Sequence, residues 1–397
     1  MMCTEPDRMA QRILHYPGSA TSVTCSDPRD LRWLVEFLRP SLWSRRTGPT
    51  EWSVELTRDS RLRRHLLDQH PGANGRSKVV FYLDTRTEKL PVLFRDANRV
   101  IMFDPLGQTV CELDSERSRV RIVAPERRWS PRLTLMRFVR ERAMRAVLEQ
   151  SSLLLHAAGY AVGGRAVLIA GRKRSGKSSL LLHALNSGVD ATDASPSAND
   201  RLAVRYLSND RTALLLDGAR IEARGLPTIL SLRTSTLELF PHTRARIEKS
   251  GFFPALTRRE AGRYPLGVAR PWRGSMFTLS PAQLCELTGV DAAPSAPLGA
   301  ILFPNVSSKR GGIRITRLKK AEAFAQLQRA LFRADHRVQV GPLFSHSARG
   351  PGMKRAELAT RLSALVEQVG CYSCELGLQA YQDDAWLGRT LELIGRP

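Results

Sequence analysis

Residues Gly171 to Ser178 read G-R-K-R-S-G-K-S, which fits the spacing G-x-x-x-x-G-K-S. That pattern is strongly restrictive because it works only between a strand and a helix. Both flanks fit. Ala166-Val167-Leu168-Ile169-Ala170 is apolar and partly β-branched, as a buried strand requires. Ser179 to Leu185 is helix-forming and stops at Asn186-Ser187-Gly188. Strand, glycine loop and helix together aim backbone N–H groups and a helix N-terminus at a phosphate chain. The pattern assigns Lys177 to the β- and γ-phosphates and the Ser178 hydroxyl to Mg²⁺, with Gly171, Ser175, Gly176 and Ser179 forming the cradle. The chain is expected to bind a nucleotide.

A length of 397 residues allows two or three domains with a sizeable core. The excess of 61 basic over 38 acidic residues, +23 net, points to a polyanionic partner. Arginines outnumber lysines 52 to 9, however, and they are scattered, a skew that a GC-rich coding sequence also produces. No motif supports nucleic-acid binding. No apolar run is long enough to cross a membrane, and Glu5, Asp7 and Arg8 stand where a signal peptide needs an apolar core. Six cysteines are too few for a disulfide framework, and Cys371-Tyr372-Ser373-Cys374 lacks the second pair a zinc site needs. A reduced, structural pair in a cytoplasmic protein is expected, and homo-oligomerisation stays open.

The first 30 residues look irregular. Residues Leu31 to Leu42 form a short helix broken by Pro40. Alternating runs at Trp52–Leu56, Val79–Leu83, Leu90–Phe94, Val100–Phe103, Thr109–Leu113 and Val120–Val123 then predict an antiparallel β-rich domain over residues 1–150. An amphipathic helix from Pro131 to Gln150 closes it. The loop-bearing domain spans 151–335, and a small α/β extension spans 336–397. Within the central domain, Asp190 to Arg205 is polar and reads as an inserted loop. Asp217-Gly218 between two strand-like runs is a hairpin signal; the competing reading makes Asp217 the terminal aspartate of a Walker B strand.

From about Leu153 to Phe303 the chain resembles the HPr kinase/phosphorylase family, whose phosphate-binding fold is shared with phosphoenolpyruvate carboxykinase. The resemblance rests on four segments in order: Leu154-Leu155-His156-Ala157-Ala158, the loop itself, Tyr206-Leu207-Ser208-Asn209-Asp210-Arg211, and Ile221-Glu222-Ala223-Arg224-Gly225-Leu226-Pro227. It implies an α/β domain on a mixed sheet. It also implies His156 near the loop, and Asp210 and Glu222 within reach of the Mg²⁺ held by Ser178. His156 on an apolar strand is equally readable as a core histidine.

Three departures follow. Asn209 stands where the family has the first of two aspartates, its base for the acceptor hydroxyl, and an amide cannot take that proton. Asp210 follows Lys177 by 33 residues, roughly twice the family spacing, while Asp193 follows it by 16 and defines a competing alignment. Pro227 replaces a signature glycine, which speaks against phosphorylase activity. The resemblance implies an ATP- and Mg²⁺-dependent kinase acting on a hydroxyl of a protein, peptide or small molecule, with Lys177, Asp210 and His156 as catalytic residues. The alternative is an ATP-binding accessory protein whose nucleotide site gates a partner.

Overall fold

A computed structural model describes residues 10–39, 41–70, 78–83, 86–105, 107–128, 130–150, 152–172, 175–190, 203–217, 220–249, 276–307, 311–332, 355–377, 379–382 and 385–395. They are mixed α/β and form two compact units that divide between Gln150 and Ser151.

The first unit opens on a hairpin, β1 (Ala10–Tyr16) and β2 (Ser19–Cys25), where an irregular start was expected. Gly18 turns it with φ +71°, a conformation that glycine adopts without steric cost. Polar residues such as Gln11, Arg12, Thr21 and Ser22 had blurred the alternation. Helix α1 (Pro28–Leu38) follows, capped by the Asp27 carboxylate on the Arg29 amide. Then come β3 (Trp43–Arg45), β4 (Trp52–Arg58), α2 (Ser60–Gln69), β5 (Lys78–Leu83), β6 (Arg86–Arg95), β7 (Arg99–Asp104), β8 (Thr109–Asp114), β9 (Arg119–Ala124) and α3 (Pro131–Glu149). The sheet order is β3-β1-β2-β4-β9-β8-β7-β6-β5. It is mixed rather than antiparallel, because β4 runs parallel to both β2 and β9. The helical crossover through α1 makes the first of these pairings possible.

Helix α3 departs from its expected amphipathic character. Arg137, Arg140, Arg142 and Arg145 are as buried as its apolar residues. Carboxylates meet them: Glu149 pairs with Arg142 and Arg145, Glu51 with Arg142, and Asp104 lies 3.8 Å from Arg137.

The second unit carries the loop. Its first elements are β10 (Leu153–Leu155), β11 (Ala157–Val162), β12 (Arg165–Ala170) and α4 (Lys177–Asp190). Strands β13 (Arg205–Ser208), β14 (Arg211–Asp217), β15 (Arg220–Leu226) and β16 (Leu230–Arg233) come next, then helices α5 (Thr234–Glu238) and α6 (Pro241–Lys249). After them run β17 (Met276–Leu279), α7 (Pro281–Thr288), β18 (Ser295–Val306), β19 (Ile313–Arg317), α8 (Lys320–Ala330), α9 (Arg355–Gln368), β20 (Gly370–Leu376) and α10 (Trp386–Ile394). The sheet order is β10-β14-β15-β18-β12-β11-β13; β20 pairs with β18, and β19 with β20.

Residues 370–376, expected in a separate extension, are therefore an interior strand of this sheet. Leu180, Leu182 and Leu185 of α4 pack on one face with Leu284 and Trp386. Ala323, Leu327, Leu362 and Leu365 of α8 and α9 cover the other. Asp217 stands opposite Arg220 at the closed end of the β14–β15 hairpin, so the turn reading of Asp217-Gly218 holds over the Walker B one. Cys371 and Cys374 belong to opposite faces of the sheet, and both are free thiols. Among the described residues no helix is long and apolar enough to cross a membrane.

Candidate functional site

Strand β12 lies between antiparallel β11 and parallel β18, and its last residue, Ala170, leads directly into the loop. Residues 173 and 174 of the loop lie outside the described residues. Gly176 holds φ +100°, and a Cβ there would meet Leu376 at 3.0 Å and Val306 at 3.1 Å. Both conformation and space therefore demand glycine at this position. The helix begins at once, with the Leu180 amide donating to the Gly176 carbonyl at 2.9 Å.

Lys177 bends back over the loop, its Nζ donating to the carbonyls of Gly171 at 2.8 Å and Arg172 at 3.0 Å. Burial pushes its ammonium below the ordinary lysine value, and the Asp210 carboxylate partly opposes that shift. Ser175 Oγ is buried and has no hydrogen-bond partner among the described residues. The cradle thus holds a desolvated cation and an orphaned hydroxyl, both of which an anion would satisfy. Ser178 and Ser179 are half-buried at the start of α4.

His156 is the residue where β10 hands over to β11, and its amide donates to the Ala330 carbonyl at 2.7 Å. Its Nε2 lies 2.7 Å from Asp210 Oδ1. The two side chains are 38% and 39% exposed, so this is an open pair and not a core contact. Asp210 sits in the turn between β13 and β14. Burial pushes its carboxyl up, but the hydrogen bond and charge of His156, with the charges of Arg211 and Lys177, outweigh that and hold it below the usual value. The turn is pinned beside His156. Thr212 Oγ1 donates to the Ala157 carbonyl at 3.0 Å and shares a 2.6 Å hydrogen bond with Ser208 Oγ. Arg211 is held from the other side by the Phe332 ring, 4.6 Å from its guanidinium carbon.

The neighbouring Asn209 faces the interior. It is 4% exposed, and its Oδ1 accepts the Tyr206 hydroxyl at 2.7 Å. Burial pushes Tyr206 well above its ordinary value, so it stays a donor. Glu222 is placed away from the cluster, contrary to expectation. Arg211 stands opposite Leu226 in the hairpin, while Glu222 stands four residues back, opposite Leu215. That is about 13 Å along the strand, too far for one ion to reach both carboxylates. Glu222 instead pairs with Arg224 at 3.1 Å.

The structure thus brings Lys177, Asp210 and His156 together and leaves Glu222 out; Asp193 lies outside the described residues. No group of three or more His, Cys, Asp or Glu side chains among the described residues could cage a metal. Sequence reasoning missed Arg211 as a charge partner and Tyr381 as a loop neighbour; the latter follows Ser179 by about 200 residues and carries no local signal. No protein-family model matches this sequence, and no curated protein does.

Proposed function

We propose that the chain is an ATP-dependent phosphotransferase acting on a hydroxyl, in the manner implied by its resemblance to the HPr kinase family. The observation that carries this reading is the 2.7 Å pair of His156 and Asp210, whose carboxylate is also within the electrostatic influence of Lys177. The residues fit MgATP. The orphaned Ser175 hydroxyl, the buried Lys177 and the glycine at 176 suit a phosphate chain. A site with one carboxylate and one serine suits Mg²⁺, which takes its remaining ligands from phosphates and water. Ser178 and Asp210 would hold the ion, and MgATP supplies the transferable phosphoryl group.

The chain's own residues account for the rest. Lys177 and the loop amides neutralise charge that builds on the phosphate oxygens. Asp210, held ionised, can only accept a hydrogen bond, so His156 Nε2 carries the proton between them. The free lone pair is then on Nδ1, which takes the proton of the acceptor hydroxyl. Asp210 fixes the ring and stabilises the imidazolium that results.

One observation favours a second reading, an ATP-binding accessory protein. The position occupied by the base in the resembling kinases, Asn209, is turned into the core. Incubation with γ-labelled ATP and a lysate of the source cell separates the two. Transfer to a lysate component that His156→Ala lowers about 10²-fold or more, with MgATP binding retained, supports the kinase. ATP-dependent capture of a partner with no labelled product supports the accessory reading.

A further inference from the structure

The loop is braced by chain made about 200 residues later. A side chain at Gly176 would meet Leu376 at the end of β20, Val306 at the end of β18, and the Tyr381 hydroxyl at 3.7 Å. Tyr381 lies on a single 3-10 turn, Ala380–Gln382, that follows β20. Its ring is seated edge-on against His183 of α4, with centroids 5.9 Å apart, and against Phe240 at 5.5 Å. Its hydroxyl hydrogen-bonds the Ser179 side chain.

A serine hydroxyl has one proton to give and lone pairs to receive, whereas phosphate oxygens at neutral pH only accept. For Ser179 to serve a phosphate it must donate outward, and its neighbour must then donate to it. Tyr381 can do so because burial pushes its phenol above the ordinary value, leaving it protonated. Without that donor, Ser179 can rotate and bond the carbonyl one turn back in its own helix.

We propose that Tyr381 is a positioning residue for the phosphate loop, aiming the single proton of Ser179 at the bound phosphate chain. The inference rests on the nucleotide-site reading above. Its test uses the full chain with MgATP as the probe, by calorimetric titration, beside ligand-free melting. Tyr381→Phe keeps the ring and removes the donor, so the ligand-free melting temperature should stay at the wild-type value while Kd rises about three- to tenfold. Ser179→Ala should weaken binding similarly, and the double variant should be no weaker than Ser179→Ala alone. Wild-type affinity in Tyr381→Phe, or losses that multiply in the double variant, overturns the proposal. If Tyr381→Phe also lowers the ligand-free melting temperature, the cycle with Ser179→Ala decides alone. Lys177→Ala keeps the two readings apart. If wild type does not bind MgATP, the site itself fails; if wild type binds, Lys177→Ala does not, and Tyr381→Phe matches wild type, only the role of Tyr381 fails.

Discussion

Asn209 and Asp210 are adjacent in sequence and face opposite environments, one a buried tyrosine and the other an open histidine. A carboxylate at 209 would therefore enter the interior and not the loop. Asn209→Asp should lower stability at pH 7 by about 1–3 kcal/mol, as denaturant unfolding would measure. The new group's folded pKa would be raised above its unfolded value near 3.9, so the loss should be absent in acid and grow as pH rises. Unchanged stability at neutral pH, or a gain in turnover, would contradict the inward placement. Asp210 has the opposite sign. Its folded pKa is depressed, so its contribution is full above the unfolded value and disappears as pH falls through the folded one. The stability gap between wild type and Asp210→Asn should close below about pH 4, and a gap that widens there would refute the assignment. His156 and Asp210 were legible because each flanks a strong strand signal at a spacing that the resemblance shares. The direction of Asn209 was not legible, because a side chain's rotation at a turn is decided by the Tyr206 hydroxyl beneath it.

Helix α3 carries its arginines into the interior, and their cost depends on partners distant in sequence. Arg137 Nε and Nη2 have no hydrogen-bond partner among the described residues, and its nearest carboxylate, Asp104, is also buried. Thr134 Oγ1 donates to that carboxylate at 2.5 Å. Arg137→Met should destabilise by on the order of 3 kcal/mol, because it strands the Asp104 charge, and adding Asp104→Asn should restore part of the loss. A single variant as stable as wild type would show that the pair carries no charge coupling. Strand β20 gives a second check. Burial pushes the thiols of Cys371 and Cys374, with those of Cys25, Cys111 and Cys285, up to about 12. At pH 8 these five should react with a disulfide reagent only on unfolding, and rapid labelling of either β20 cysteine in the native protein would exclude this packing. The six alternating runs and the Asp-Gly hairpin were readable because local periodicity and turn chemistry specify them. The first hairpin was hidden by polar residues on its strands. The parallel placement of β4 was not readable, since sheet order is a property of distant pairings.

The two units bear differently on nucleotide binding, since every residue assigned to the site belongs to the second. MgATP at a hundredfold excess over Kd should stabilise the chain by about 2.7 kcal/mol, seen as a rise in melting temperature that Lys177→Ala removes. A chain beginning at Ser151 should keep that response. Loss of the response in a folded 151–397 chain would show that the first unit completes the site. The placement of β20 between β18 and β19 has a consequence for biosynthesis. The phosphate loop is translated early, yet its floor and its brace are nearly the last things the ribosome makes. At roughly 5–20 residues per second, about 10–40 s separate Ser179 from Tyr381. Throughout that interval β18 exposes the edge that β20 will cover, and β19 has no strand to join. A nascent chain of this protein should therefore acquire nucleotide affinity late and abruptly, and until then it is a natural client for the chaperones that shield open sheet edges.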